Sequence, residues 1–532
     1  MSWLPSFCVL LLLKVVPLRA QVVAAGTILG VVKDSTGAAI ANATVTVLNV
    51  ESNFTRTGPT GDDGAYRFSG LPVGHYKVKV EMSGFETETQ TGLTLDVAQE
   101  EIVNFALKVG TSQQQVTVTA EVPEVNTTNG SIGYLVDNQQ IADLPLNGRS
   151  FVSLSLMEAG TSQYLNFNDV LGFVGTWFSS NGAPLTSNTF TLDGAIMGTT
   201  DGGSPSSISG QALGVDAISE YKLMTNSFSA EYGLTMGSQM NIVTKSGTNR
   251  FHGDAFEYLR NSALDARNYF DKLYELPDTV PGGGRRVAPF RRNQFGGTVG
   301  GPIKKDKTFF FTSFEEYLNY LDNPTYVGVA NVMPAACSQI VNNTVNNATC
   351  LAPILGSSFQ AGTTTVAPAI QPLLTGLNGV AAPFPAPNLP NNQFAWLSNE
   401  STQDDYGQIR IDHILSAADT LFGRYTVDDA TQNRPIQFPG FSNLWLELQQ
   451  YVTLSESHVF SPQLVNSGHF SFSRANLSQA STAPAYTAPG FSCVAGQPIC
   501  NINPGTGTGL GTAVSGPVFQ VQNVFTWADD AF

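Results

Sequence analysis

The 532-residue sequence predicts a mainly β protein in three successive parts: an N-terminal β-sandwich, a mixed α/β unit, and the N-terminal part of a transmembrane β-barrel. Three observations predict it. Early in the chain, short alternating runs are punctuated by turn residues about every 8–12 positions, the rhythm of a small sandwich. From Arg250 onward the polar–apolar alternation lengthens, and the connections become alternately short and very long, the pattern of an outer-membrane barrel. Charged residues make up only 13 % of the chain, and Thr, Ser, Asn and Gln rather than aliphatics replace them, which suits sheets with polar surface on both sides.

The first stretch, residues 1–25, holds the short apolar run Phe7–Leu13, too short to span a bilayer, followed by small residues at Ala20 and Ala24-Ala25. It is expected to be a signal peptide cleaved after Ala20 or Ala25, taking Cys8 with it. The formal charge of −16 repels phosphate backbones, so nucleic acid is excluded as a partner. No other stretch is apolar enough for a membrane helix, so membrane residence must be through strands. The remaining cysteines fall in two close pairs, Cys337 with Cys350 and Cys493 with Cys500, each in a Gly/Pro/Asn-rich loop. Local disulfides in an oxidising compartment are expected, and zinc is disfavoured because no histidine stands near either pair.

Residues 26–109 alternate at Ala43, Val45 and Val47, at Tyr66 and Phe68, and at Tyr76, Val78 and Val80, with turns at Asp34–Gly37 and Gly61–Gly64. Residues 110–125 form a connector whose Val116-Thr117-Val118-Thr119-Ala120 is a strong strand former without a hairpin partner. It either joins a neighbouring domain or offers itself for strand addition to another protein. Residues 126–248 mix elements: a helix at Asp137–Asp143, a turn over Leu144–Gly148, a second helix to Glu158, a strand ending in a tight turn at Asp193-Gly194, and a short helix at Val215–Ile218 before another strand. In residues 249–532 the expected strands are Phe251–Arg260, Asn293–Pro302, Lys307–Tyr317, Asp405–His413, Thr420–Asp428, Leu448–Phe460, Val465–Ala475 and Val518–Trp527, about ten residues each. The very long connection spans roughly residues 324–400. Ile409 and Ile411 oppose Gln408, Arg410 and Asp412, while Leu421, Tyr425 and Val427 oppose Arg424, Thr426 and Asp428. His413 and His458 are expected to face the lumen or an interface. About eight strands close a barrel too narrow to hold a folded unit, so the chain reads as stopping inside its barrel, with Phe532 an accident of that stop.

In the first unit, Gly30, Asp34, Gly37, Gly64, Tyr66, Phe68, Leu71, Gly74, Tyr76 and Gly84-Phe85 fall where they do in the carboxypeptidase regulatory-like domain, which the unit resembles. That resemblance implies a transthyretin-like sandwich with a carbohydrate-binding-like fold. The segments LPLNGRSF (144–151), FTLDG (190–194), EYGLTMGSQMNIVTKSGTN (231–249) and FHGDAFEYLRNSALDARNYF (251–270), with NQFGGTVGGPI and KTFFFTSFEEY after them, resemble TonB-dependent outer-membrane transporters of the Oar type. The sequence departs from that pattern at Ala183-Pro184-Leu185, where the family often carries a basic residue used in a plug–barrel ion pair.

The resemblance implies that residues 126–248 are a plug inside the barrel. It implies residence in the bacterial outer membrane with the N-terminal domain in the periplasm, and transport of a ligand (glycan, siderophore or peptide) energised by TonB and its inner-membrane complex. Residues Val116–Ala120 become the candidate TonB contact. Arg149, Asp193, Glu220, Glu231 and Lys245 become candidates for charged latches between plug and wall. The many glycines are expected to allow close backbone approach where plug meets wall, the plug strands packing against polar side chains and water rather than an apolar core.

The alternative is a secreted or surface β-sandwich adhesin or carbohydrate-binding structural protein, which accounts for the first domain and the disulfides but not for the loop alternation. HExxH, GxSxG, P-loop and dinucleotide-binding glycine patterns are all missing, so no catalytic residue, metal or cofactor is expected.

Overall fold

A computed structural model describes residues 25–531 except 111–114, 120–129, 145, 165–175, 198–204, 212, 229–231, 233–234, 267–277, 279–283, 285–286, 288, 356–357, 359, 377–378, 380–381, 437, 440, 462–463 and 483–517. The signal segment, Ala120, Glu231 and the Cys493/Cys500 pair therefore lie outside the described residues.

The first unit is a two-sheet sandwich. One sheet is built on β1 (Gly26–Asp34), flanked by β4 (Ala65–Leu71) and by β7 (Glu100–Ile102), with β8 (Phe105–Leu107) also on β1. The other runs β3 (Thr55–Pro59), β2 (Thr44–Asn49), β5 (Gly74–Glu81), β6 (Thr87–Leu95), β9 (Gln115–Thr119). Period-two alternation decides the faces: Tyr76, Val78 and Val80 of β5 are buried while His75 and Lys77 are exposed. A side chain at Gly30 would bring its Cβ within 1.9 Å of the Val103 carbonyl oxygen, which fixes glycine there.

The second unit is a five-stranded sheet in the order β10 (Ile132–Val136), β15 (Ile218–Asn226), β16 (Gln239–Thr244), β13 (Thr189–Leu192), β14 (Ala195–Ile196), beside a small pair, β11 (Thr161–Gln163) and β12 (Phe178–Ser180). Helix α1 (Asn138–Asp143) starts at a capping box in which Asp137 and Gln140 satisfy each other's backbone N–H. The expected second helix is two 3-10 segments, Asn147–Arg149, within which Gly148 adopts a left-handed conformation (φ 68°), and Phe151–Met157, separated by the extended Ser150. The short helix is 3-10 as well, Val215–Ala217.

One expectation is overturned here. The plug strands do not rest on water and polar groups alone: all six residues of β16 are buried, and Met240 and Ile242 join Phe151, Phe190, Tyr221 and Leu223 in a continuous apolar core. Full burial of each such side chain contributes about 1.5–3 kcal/mol.

The third unit is an antiparallel eight-stranded sheet with sequential neighbours: β17 (His252–Asn261), β18 (Phe290–Lys304), β19 (Thr308–Asn331), β22 (Gln393–Ile414), β23 (Asp419–Pro435), β24 (Ser442–Ser461), β25 (Leu464–Thr482) and β26 (Val518–Ala531). Its edges are β17 and β26 among the described residues. Between β19 and β22 lie β20 (Thr344–Asn346) and β21 (Thr363–Thr365), in a loop unit where Cys337 and Cys350 are joined by a disulfide. Several strands are twice the expected length, with β19 reaching 24 residues and β22 reaching 22. The hydrogen-bonded ladder between these two strands continues to the pair of Asn331 with Gln393, well beyond the stretch whose alternation marks a strand. Polar residues line the face toward the plug: Ser467, His469, Ser471 and Ser473 are buried there, while Phe470 and Phe472 stand opposite Trp527 and Phe525 on the outer face. His458 also belongs to the outer row, contrary to expectation, since its neighbour Ser457 is the one that meets the sandwich. No helix among the described residues is long and apolar enough to cross a membrane.

Candidate functional site

The plug meets the wall through buried charge. After β13 the chain turns at Asp193-Gly194, with Asp193 itself at φ 48°, and drops the Asp193 carboxylate into the interface. Thr244 of β16 donates its backbone N–H to Oδ1 at 2.9 Å and its hydroxyl to Oδ2 at 2.8 Å. From the wall, Arg424 approaches Oδ2 at 2.7 Å through Nε, and Arg410 approaches Oδ1 at 3.4 Å. The Arg424 Nε–H is not aimed at the oxygen, so that contact is ionic rather than a directed hydrogen bond. Burial acts to raise the Asp193 pKa, but Arg424, Arg410 and the Thr244 bonds outweigh it and hold the carboxyl below the usual range. Arg424 also donates to Thr426, Thr453 and the Leu192 carbonyl, and Arg410 pairs with Asp412 at 2.8 Å. Two cations thus face two carboxylates.

A second contact forms around Arg149. Its guanidinium bonds Asp216 of the plug at 2.8 Å, reaches Glu315 of β19 at 3.5 Å, and lies over the rings of Phe256 and Tyr258 of β17 at 4.2 and 4.8 Å. Close approach is built in nearby, since a Cβ on Gly214 would fall 2.5 Å from the Tyr406 ring. Lys245 sits close by. Burial lowers its pKa against the opposing pull of Asp216 in the plug and Asp254 in the wall. A third contact is the plug loop Ser207–Ser209. Ser207 donates to Asp404 at 2.8 Å, Ser209 donates to the same oxygen, the Ile208 N–H donates to Glu447 at 2.8 Å, and the Ile208 side chain packs on Ala430, Trp445 and Leu477.

Glu220 is placed elsewhere than expected. It faces the sandwich rather than the wall, accepting the Val97 N–H at 2.5 Å, while Lys222 beside it donates to the Ala98 carbonyl at 3.1 Å. Burial, reinforced by Asp96, pushes its carboxyl up to about 8. The sandwich also touches the wall. Arg56 donates to Ser457 at 3.3 Å, and Asn53 and Asn249 both donate to Asp306. At this three-way junction is a cavity of about 340 Å³ bordered by Glu51 and His75 of the sandwich, Lys245 of the plug, and Arg410, Asp412 and His413 of the wall. The strand formed by Gln115–Thr119 is the outermost of the second sandwich sheet, parallel to β6 with Thr87 opposite Gln115 and Thr91 opposite Thr119.

Of the residues the sequence offered, Asp193 and Arg149 lie at the contact between plug and wall, where they meet Arg410, Arg424 and Glu315, which the sequence reading did not single out. A usable signal was present: Arg410 and Arg424 both stand in the polar row of an alternating strand, where a lone charge needs a partner from inside.

Comparison with known proteins follows the same outline. The outer membrane beta barrel domain family matches residues 243–532, more than half of the chain, and the carboxypeptidase regulatory-like domain matches residues 27–108. The TonB-dependent transporter Oar of Myxococcus xanthus is 27 % identical over 298 residues, covering 54 % of this chain and 26 % of that protein. Among solved structures, the outer membrane transporter YddB from Escherichia coli covers 75 % of this chain and 45 % of its own (TM-score 0.45, 11 % identity). The ferric enterobactin receptor PfeA from Pseudomonas aeruginosa, in a mutant form, covers 74 % of this chain and 45 % of its own (TM-score 0.42, 9 % identity). The chain thus spans about a quarter of its curated relative and less than half of each solved structure. With residues 243–532 matched, the chain belongs to the outer membrane beta barrel domain family and resides in the outer membrane, and over about half of its length it is similar to a TonB-dependent transporter of the Oar type.

Proposed function

We propose that the protein moves a ligand across the outer membrane by releasing its plug, with the sandwich on the periplasmic side and the energy delivered by TonB from the inner-membrane complex. The observation that carries this reading is the Asp193–Arg410–Arg424 cluster, a balanced charge group shared between plug and wall. Such a group is stable while whole and costly to break on one side only, which makes it a two-position latch rather than a sliding surface. The cargo is a small ligand of the glycan, siderophore or peptide kind.

The TonB contact is the Val116–Ala120 segment. Its strand, β9, is hydrogen-bonded to β6 along one side, and its other side is an open sheet edge among the described residues. A partner strand adds there through main-chain hydrogen bonds. The test is binding of purified TonB C-terminal domain to the protein in detergent, compared with Thr117→Pro and Val118→Pro. Successive N–H groups point to opposite sides of a strand, so one of the two variants removes an outward donor. At least one should weaken binding about tenfold. If neither does, the TonB contact lies elsewhere.

A further inference from the structure

On the outer face of the wall, at the rim of short turns, the apolar row of β24 is interrupted. Ser455 and Ser457 point inward, and Ser457 meets Arg56 of the sandwich. Glu456 and His458 therefore point outward, between Leu454 and Phe460, which are both exposed. In the neighbouring strand Asp419 is the register partner of His458, and Leu421 that of Glu456. One donor atom each from Asp419, Glu456 and His458 comes within 4.8 Å of the others.

Two of the three groups are held in place from outside the cluster. Ser416 donates its hydroxyl to Asp419 Oδ2 at 2.9 Å and accepts the backbone N–H groups of Ala418 and Asp419, so the turn residues 415–418 fix that carboxylate. The Phe460 ring packs edge-on against the imidazole at 4.3 Å between centroids. His458 Nδ1 and Asp419 Oδ1 are in direct contact.

We propose that Asp419, Glu456 and His458 form a binding site for a divalent transition-metal ion of the zinc class. One imidazole and two carboxylates are a ligand set such ions take, with donor–metal distances of about 2.0–2.2 Å and water completing the shell. Donor atoms in such a shell lie roughly 3–3.5 Å apart, so closing the site needs side-chain rotation and no movement of the strands. The ion competes with protons for its ligands, so binding weakens in acid. Occupied, the site cross-links β23 and β24 at their turn ends, one residue from where Arg56 holds the sandwich to the wall.

The test uses the full chain, without a histidine tag and stripped of metal, in detergent. Zinc affinity is measured by competition with a chromophoric chelator, and cobalt(II) absorption reports the ligand set. The expected result is one zinc ion per chain, about tenfold or more weaker binding in His458→Ala and in Glu456→Gln, and no change in His75→Ala, which removes a separate His–Glu pair. Affinity falls between pH 7.5 and pH 5.5 in the parent, in the sense set by ligand protonation. Retention of heat-modifiable electrophoretic migration shows that each variant is folded. Zinc binding that is absent, or equal in the parent and both site variants, overturns the proposal.

Discussion

Asp193 carries a negative charge into a buried contact, and two guanidiniums answer it. Removing the carboxylate leaves both guanidiniums buried with one fewer counter-charge, a change that typically costs about 3–5 kcal/mol. Asp193→Ala is therefore expected to loosen the plug by that order, read as a lowered denaturant midpoint in detergent and as entry of a large antibiotic into cells carrying the variant. A loss under about 1 kcal/mol, the range of an exposed pair, would show that the cluster is not a latch. Asp193 was legible in the sequence because an Asp-Gly pair ending a strand marks a tight turn. Its partners were not, because Arg410 lies 217 residues further along the chain and only the closed fold brings the two together. Glu220 shows the opposite failure: its charge suggested a wall contact, yet its strand is the one that faces the sandwich.

At the scale of elements, the contact between β15 and the residues after β6 should respond to pH. Glu220 faces Val97 and Asp96 from the sandwich, Lys222 on its own strand, and Asp137 at the start of α1. Its carboxyl titrates at about 8 when docked, against an ordinary value of 4.5. The docked state therefore holds the proton more tightly, and docking weakens as pH rises from about 4.5 through 8. Protection from hydrogen exchange at residues 96–98 and 219–222, taken relative to the intrinsic base-catalysed rate, should fall from pH 6 to pH 8.5, and Glu220→Gln should abolish the fall. Equal protection at both pH values in the parent would remove the titration from the account. The sandwich strands were readable because one face of each is buried and the other wet. The wall strands were readable only over part of their length: β19 and β22 run to 24 and 22 residues, and their extensions pass into what reads in the sequence as a long connection. The 3-10 segment Phe151–Met157 passed for an ordinary helix, because its buried residues Phe151, Val152, Leu154 and Ser155 also fall on one face at 3.6 residues per turn.

For the whole molecule, the outer face of the wall is a solvent-facing surface only until lipid covers it. Ile409, Ile411, Leu421, Tyr425, Leu446 and Leu454 are all exposed there in the isolated chain. An arginine among them costs about 2–4 kcal/mol at mid-membrane depth and little near the interfaces. Ile409→Arg is expected to lower stability in lipid vesicles toward that range while changing nothing in water-exposed contacts. An unchanged unfolding midpoint in vesicles would mean this face does not meet lipid. The position of β10 adds a mechanical consequence. It is the outermost strand of the plug sheet, bonded to β15 along one side, and it follows β9 after a dozen residues of chain. A tug applied through β9 therefore acts like a ripcord: the seam opens at its loose border, a few hydrogen bonds at a time, and the greasy centre behind β15 and β16 keeps its grip until that border has gone.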